Sequence, residues 1–581
     1  MPVGGRFSRL SPIIQRLRKL GSTWPIGSAI IPWIVIGWVV AFRRLGYTAL
    51  LDPDEAHYAQ LTREMAQSKS WFVPLLDGTP FVDKPVLFHW LQALSVKIFG
   101  ESELAIRMPS AVAAVCLIAI TWWLARRLFG AGVGQLAAMM FATLPATFAL
   151  ASVGVFDMVF ATFLFGGIAC LLISSIERRE RLQYGGYALL TLAVMTKGPV
   201  SLVLVVLLFA VACAVSREAR VTISRLHWGF GLALIIFASS PWFAWMWVKF
   251  GDRFVRDYVF AGNVWYFTSP PRFSRRASDH AFYLRTFLGA FFPWSLIALG
   301  GGLDEAVARL KGKPSTTPVI WLWIWMATIV GFFSVARFKL DTYIFPAAPA
   351  CAILAALAWH RSASDPTQRW TRAAVMLVAG IMTAGGALAA AALFRIDLGL
   401  DRRSALLPAV LAAGGAALLI QMYRRRWAVP ASATALVLTL VAAFAVVVQL
   451  GFPLLESSRP TRALGRWVAQ HTAAGIAIGT YGLDDWRASI RYYTDRPITH
   501  LSTVDDVRAF FANAPTAKVL MLRADYRAMR SAGLDVQEIA ARRAIVGRTG
   551  KYFRRQIWGR LVVVTRRDYA DSLAINQWDL Q

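Results

Sequence analysis

The sequence predicts a polytopic membrane protein, an all-helical bundle of about thirteen spans with a small soluble α/β domain at its C-terminal end. Three observations lead to it. Apolar runs recur from Trp24 to Pro453, and each is apolar all round rather than along one stripe, for about 17 to 25 residues, the length that crosses a bilayer. The composition of the 581 residues is 57% hydrophobic against 16% charged, and the mean hydropathy is +0.50. Finally, the basic residues gather in every second short connection.

Arg6, Arg9, Arg16, Arg18 and Lys19 precede the first run with no acid among them, which places the N-terminus in the cytoplasm. No small-residue cleavage site follows that run, so it is an uncleaved span rather than a signal peptide. Spans are expected to begin near Trp24, Ala105, Ala131, Phe156, Gly185, Val200, Trp228, Phe282, Pro318, Tyr343, Ala373, Ser404 and Ala428. Every second loop is then basic: Arg126-Arg127, Arg178-Arg179-Arg181, Arg217-Arg220-Arg225, Arg309-Lys311-Lys313, Arg361-Arg369-Arg372 and Arg424-Arg425-Arg426. The net charge of +29 therefore orients the chain in its bilayer and calls for no nucleic acid. Cys116, Cys170, Cys213 and Cys351 all fall inside spans, so no disulfide framework or CxxC metal site is available. An odd number of spans sends the tail to the outer side. The expected division is a membrane domain over 1–455, with a long first outer loop at about 43–104, and a soluble domain over 456–581. In that tail short apolar runs at 475–481, 518–522 and 556–564 alternate with helical stretches such as 505–514, which reads as α/β.

The first outer loop opens with Asp52-Pro53-Asp54-Glu55-Ala56-His57-Tyr58-Ala59. Helix initiation accounts for part of it: Asp52 as cap, Pro53 at the first helical position, and Glu55 in a capping-box-like place. Asp54 is left over, with His57 and Tyr58 following at three and four residues on the same face. A carboxylate so placed can act as a general base or orient an acceptor. Further along, Phe81-Val82-Asp83-Lys84-Pro85-Val86-Leu87-Phe88-His89-Trp90 leads an Asp-Lys pair into an amphipathic stretch, 87–100, suited to the interface plane. A charge at mid-membrane costs roughly 2.5 to 3.5 kcal/mol on insertion scales, so Asp157 and Lys197, at outer ends of spans, suit an interface or a hydrated cavity. Tyr343 stands at a span end, where an aromatic-belt role is the ordinary one.

The D-x-D-E-A-x-Y element after span one, paired with x-K-P-x-L-F-H-W from Asp83 to Trp90, resembles the GT-C glycosyltransferases of the protein mannosyltransferase and lipid A aminoarabinose transferase group. The resemblance extends to Phe156-Asp157, to Thr196-Lys197-Gly198-Pro199, to Phe292-Pro293-Trp294-Ser295 and to the stretch from Arg337 through Lys339 to Pro346. It implies a transferase that takes a sugar from a polyprenyl (undecaprenyl) phosphate carrier and passes it, usually with inversion, to an acceptor at the outer face of a bacterial inner membrane. Lipid A or another glycolipid, a polysaccharide or a protein would be the acceptor. By the same resemblance Asp54 is the catalytic acidic residue, Lys84 meets the carrier phosphate and Tyr343 lies where a later loop closes on the site. Glu55, His57, Tyr58, Asp83, His89, Asp157, Lys197 and Lys339 are the further candidates for substrate contact. One or more of Arg272, Arg275, Arg276 and Arg285 joins Lys84 at the phosphate, with Arg272 and Arg276 put forward and the choice left open. No resident cofactor is expected; Asp83 and His280 are the only pair offered for a divalent ion. The chain departs from the aminoarabinose group at His57, where arginine is frequent, at Asp83, where glutamate is common, and after Phe250, where a histidine-rich stretch is missing. These departures leave sugar and acceptor open.

The rival reading is a multi-span lipid or solute transporter. Transporters of that kind carry inverted repeats and midplane charges in both halves. The charges here collect instead in one long outer loop. In the tail Tyr481, Asp484, Asp485, Tyr492 and Tyr493 are candidates to hold an acceptor.

Overall fold

The structure is a computed structural model that describes residues 42–268, 279–313, 315–395, 401–424, 429–483, 487–545 and 558–570. The first expected span, its basic flank, Arg272, Arg275, Arg276, Asp484 and Asp485 lie outside the described residues. Every later expected span is helical. Eight helices among the described residues are long and apolar enough to cross a membrane: Glu103–Phe129, Phe156–Glu177, Trp228–Phe250, Thr317–Val335, Asp341–Ser364, Arg369–Arg395, Arg402–Tyr423 and Ser432–Ser458. Two further expected spans are bent pairs, Ala131–Ala142 with Pro145–Ala151 at 62° and Phe282–Ala290 with Trp294–Leu310 at 107°. The remaining two are the shorter helices Arg181–Lys197 and Val200–Val215.

The bends have local causes. Pro145 and Pro293 stand where the second helix of each pair starts, and a proline lacks the amide that would continue the first. Trp294 Nε1 donates to Thr143 Oγ1 at 3.0 Å, tying one break to the other inside the core. Phe156–Glu177 and Asp341–Ser364 run through the centre, with 83% and 89% of their apolar windows buried, whereas Arg402–Tyr423 has 17% buried and turns its apolar surface outward. Small residues set the closest approach: a Cβ on Gly167 would lie 2.8 Å from Leu190 Cγ and 3.0 Å from the Gly186 carbonyl, so Phe156–Glu177 and Arg181–Lys197 meet backbone to backbone.

The first outer loop folds into the helix Asp54–Ser68, a hairpin of β1 (Leu75–Leu76) and β2 (Thr79–Pro80), and the helix Leu87–Phe99. The C-terminal unit holds β3 (Ile478–Tyr481), β4 (Ile498–Leu501), β5 (Lys518–Leu522), β6 (Val536–Ile545) and β7 (Trp558–Arg566) in the order β4-β3-β5-β7-β6. The first three are parallel, and β7 and β6 add antiparallel. The apolar runs of the sequence coincide with β3, β5 and β7; β4 and β6 were not expected. Both unexpected strands lie at the sheet's edges, and β6 carries Arg542 and Arg543, so neither shows an apolar run. The helix Arg487–Thr494 of this unit packs on Asp54–Ser68, with Ala488, Tyr492 and Tyr493 against Ala49, Leu50, Ala56, Ala59 and Ile106.

Candidate active site

The Asp54–Ser68 helix opens on two acids, Asp54 and Glu55. Its N-cap is Pro53, no side chain caps it, and both Asp54 and Glu55 meet the positive end of its dipole. This corrects the capping expected of Asp52: its Oδ1 accepts from the Ser489 amide at 2.7 Å and its other oxygen accepts from the Ser489 hydroxyl. Burial pushes the Asp52 carboxyl up to about 6, against the lowering effect of those two hydrogen bonds.

Glu55 points the other way, into the protein. Its Oε1 takes Arg107 Nε at 2.7 Å and the Gly154 amide at 2.7 Å, and its Oε2 takes Arg107 Nη2 at 2.9 Å and the Leu51 amide at 2.7 Å. Arg107 in turn donates to the carbonyls of Leu45, Thr48 and Ala49. A carboxylate with both oxygens committed inside the fold has nothing left for a substrate, which corrects the contact expected of Glu55. The helical signal is right about Glu55, and the Leu51 bond is the reach-back half of a capping box. Arg107 was missed. An arginine within a membrane span is itself the clue that would have found it.

Asp54 is exposed to solvent, yet protein surrounds it on several sides. Desolvation raises its pKa first, and the carboxylates of Asp157 and Asp83 raise it further, while Lys84 and Lys197 pull it down. Those five charges therefore lie near one another, brought together from the Asp54–Ser68 helix, the 83–84 bend and the helices Phe156–Glu177 and Arg181–Lys197. Lys84 Nζ stands 3.0 Å from Asp83 Oδ2, and Lys197 Nζ stands 2.7 Å from Asp157 Oδ1. Tyr58, one helical turn after Asp54, is buried between the rings of Phe88, His89 and Phe156. Burial first, then the nearby acids, holds its phenol well above the usual range, so it stays a neutral hydroxyl. Tyr343 puts its ring 4.8 Å from Lys197 Nζ, beside Phe156 and Phe160 at 5.1 Å each. His57 is half-buried on the Asp54 face.

Gly198 fixes Lys197. Its φ is +80°, and a Cβ there would lie 2.1 Å from the hydroxyl of Tyr258, so only glycine permits this approach. Tyr258 itself, on the π-helical stretch Val255–Trp265, gave no sequence signal, and a Cβ on Gly262 of the same stretch would lie 3.0 Å from Asp83 Oδ1.

Two candidates fall elsewhere. His89 is buried against Thr62, whose hydroxyl lies 3.2 Å from Nδ1 and donates to Gln92, and burial lowers its pKa to about 4. It is a neutral packing residue between the two loop helices. Lys339 Nζ caps the Thr317–Val335 helix by donating to the carbonyls of Ser334 and Ala336, the usual use of a lysine at a helix C-terminus. Arg285 is paired with Asp279. Among the described residues no three His, Cys, Asp or Glu side chains gather as a metal set. Tyr492 and Tyr493 are buried at the junction of the two parts rather than open to an acceptor.

The same architecture occurs in a crystal structure of ArnT from Cupriavidus metallidurans bound to undecaprenyl phosphate, with a TM-score of 0.71 at 21% identity over 92% of this chain and 97% of that one. The chain shares the fold of that protein. An archaeal oligosaccharyltransferase, AglB from Archaeoglobus fulgidus, shares it more distantly, with a TM-score of 0.51 at 13% identity over 90% of this chain and 73% of that one. Residues 83–245 match the family described as dolichyl-phosphate-mannose-protein mannosyltransferase. An undecaprenyl phosphate-alpha-4-amino-4-deoxy-L-arabinose arabinosyl transferase of Yersinia enterocolitica is 30% identical over 335 residues, 53% of this chain and 55% of that protein. The matched region thus spans about half the length of this relative.

Proposed function

We propose that this protein is a GT-C glycosyltransferase that moves a sugar from a polyprenyl phosphate carrier to an acceptor at the outer, periplasmic face of a bacterial inner membrane. The observation that carries the reading is the solvent-exposed Asp54 carboxylate with the Asp83–Lys84 and Asp157–Lys197 pairs as its charged neighbours. The ArnT relative bound to undecaprenyl phosphate supplies the donor class. In this reading residues 1–455 form the transferase domain and 456–581 a periplasmic domain.

The chemistry needs little from the protein beyond placement and charge. The bond from the sugar's anomeric carbon to the phosphate oxygen breaks, an acceptor oxygen attacks from the opposite face, and the carrier leaves as its phosphate. Asp54 takes the acceptor's proton. Lys84, less deeply buried than Lys197 and bonded to a neighbouring carboxylate, is the cation placed to exchange that partner for the phosphate. Lys197, packed among three aromatic rings, orients Asp157. Tyr58 and Tyr343 close the apolar walls.

Purified protein in liposomes, given a labelled polyprenyl phosphate sugar and lipid A, is expected to yield labelled acceptor. Asp54→Asn should lower the rate by roughly 100-fold or more, the scale of a lost general base. Movement of label across the bilayer without a new covalent product would return the transporter reading.

A further inference from the structure

We propose that the C-terminal unit completes the transferase site, with Ser489 as a positioning residue that sets Asp54 through Asp52. The proposal rests on the reading of Asp54 given above. The chain from Leu45 to Pro53 leads into Asp54 without helix or strand of its own. Its polar groups must therefore find partners elsewhere. The membrane domain supplies one side, through Arg107 to the Leu45, Thr48 and Ala49 carbonyls and Glu55 to the Leu51 amide.

The residues after 455 supply the other. Arg462 donates to the Tyr47 carbonyl at 2.8 Å, the Ala49 amide donates to Glu456 at 2.6 Å, and the Leu50 amide donates to the Tyr493 hydroxyl at 2.8 Å. The Tyr493 hydroxyl in turn donates to Glu103 Oε1 at 3.0 Å, which ties this contact back to the first turn of the Glu103–Phe129 span. Last in line, Ser489 holds both oxygens of Asp52. One residue then separates that anchor from Asp54. Because no side chain caps the Asp54–Ser68 helix, Ser489 and the Leu51–Glu55 bond between them fix where its first turn stands. A positioning role asks the tail for neither a nucleophile nor a metal set.

Catalysis is sensitive to this kind of anchor, since a displacement near 1 Å costs about 100-fold. The test compares full-length variants in the liposome transfer assay. Asp52→Ala loses both bonds and is expected to lower kcat about 10- to 100-fold with donor KM moved less than about threefold. Ser489→Ala loses the hydroxyl bond alone and should fall between that variant and the wild type, and Ser489→Thr should recover at least half of the loss. Arg491→Ala is the control: it removes the ion pairs to Asp77 and Glu64 at the same junction, touches nothing in 45–53, and should keep its kcat. Wild-type kcat in Ser489→Ala and Asp52→Ala, or an Arg491→Ala loss equal to theirs, overturns the proposal. Where Asp52→Ala fails to fold, the Ser489→Ala and Ser489→Thr pair decides alone. Failure of the underlying reading looks different, because then the wild type makes no product or Asp54→Asn stays fully active.

Discussion

At the scale of single residues, Asp54 owes its raised pKa to desolvation by the protein around it and to its acidic neighbours, and that fixes the sign of a pH experiment. As a base it works ionised, so transfer is lost as pH falls through its raised pKa. Asp83 raises that pKa and Lys84 lowers it. We therefore expect Asp83→Asn to move the acid limb of kcat to lower pH and Lys84→Met to move it to higher pH; shifts in one common direction would contradict the assignment. Asp52 gives a second sign. Its folded pKa of about 6 lies above the usual 3.8, so its contribution to stability is full below pH 3.8 and is lost as pH rises through about 6. The unfolding temperature of Asp52→Asn should accordingly depend less on pH between 4 and 7 than that of the wild type. Asp54 stands out in the sequence because the capping pattern leaves it over, although the structure assigns that pattern to Glu55 alone and turns Asp52 to Ser489. His89 does not, since nothing in its neighbours announces that Thr62 and a closed interior await it.

At the scale of elements, the site is a set of junctions, and two of them make firm demands. The Glu55–Arg107 pair joins the first loop helix to the Glu103–Phe129 span with both side chains nearly inaccessible. Removing one partner strands a buried charge, so Glu55→Gln or Arg107→Met should each destabilise the protein by about 3 to 5 kcal/mol, and the double variant by less than the sum. Denaturant unfolding in detergent measures both. The second junction is Gly198 against Tyr258. A methyl at Gly198 collides with the phenol oxygen, whereas the ring carbon behind it is 3.3 Å away. Gly198→Ala should therefore lose transfer activity, and Tyr258→Phe should restore part of it while doing little by itself; an unimproved double variant would place the whole cost in the positive φ. Spans and the amphipathic Leu87–Phe99 helix are readable because a lipid or interfacial surface imposes its period on the chain. The π-helical Val255–Trp265 stretch and the edge strands β4 and β6 are not, since their roles come from what packs beside them.

At the scale of the whole molecule, charge and apolarity divide the work. Basic clusters of the +29 chain stand in alternate loops and the N-terminal flank, as an oriented span bundle requires, while Asp54, Asp83 and Asp157 lie near one another. This asymmetry separates a one-sided transferase from a transporter, which needs charge near the midplane. It also predicts which loops face which side. The C-terminal unit docks on the Asp54–Ser68 helix, so Asp54, the tail and the first loop must share a compartment. Ser364, in the basic connection after the Asp341–Ser364 span, must lie in the other. With Cys116, Cys170, Cys213 and Cys351 replaced by alanine, we expect a cysteine at exposed Ala474 to react with a membrane-impermeant maleimide added to cells whose outer membrane alone is permeabilised. A cysteine at exposed Ser364 should react only after the inner membrane is opened. The reverse pattern would turn Asp54 toward the cytoplasm, and the basic loops would then be on the wrong side of the bilayer for every span at once.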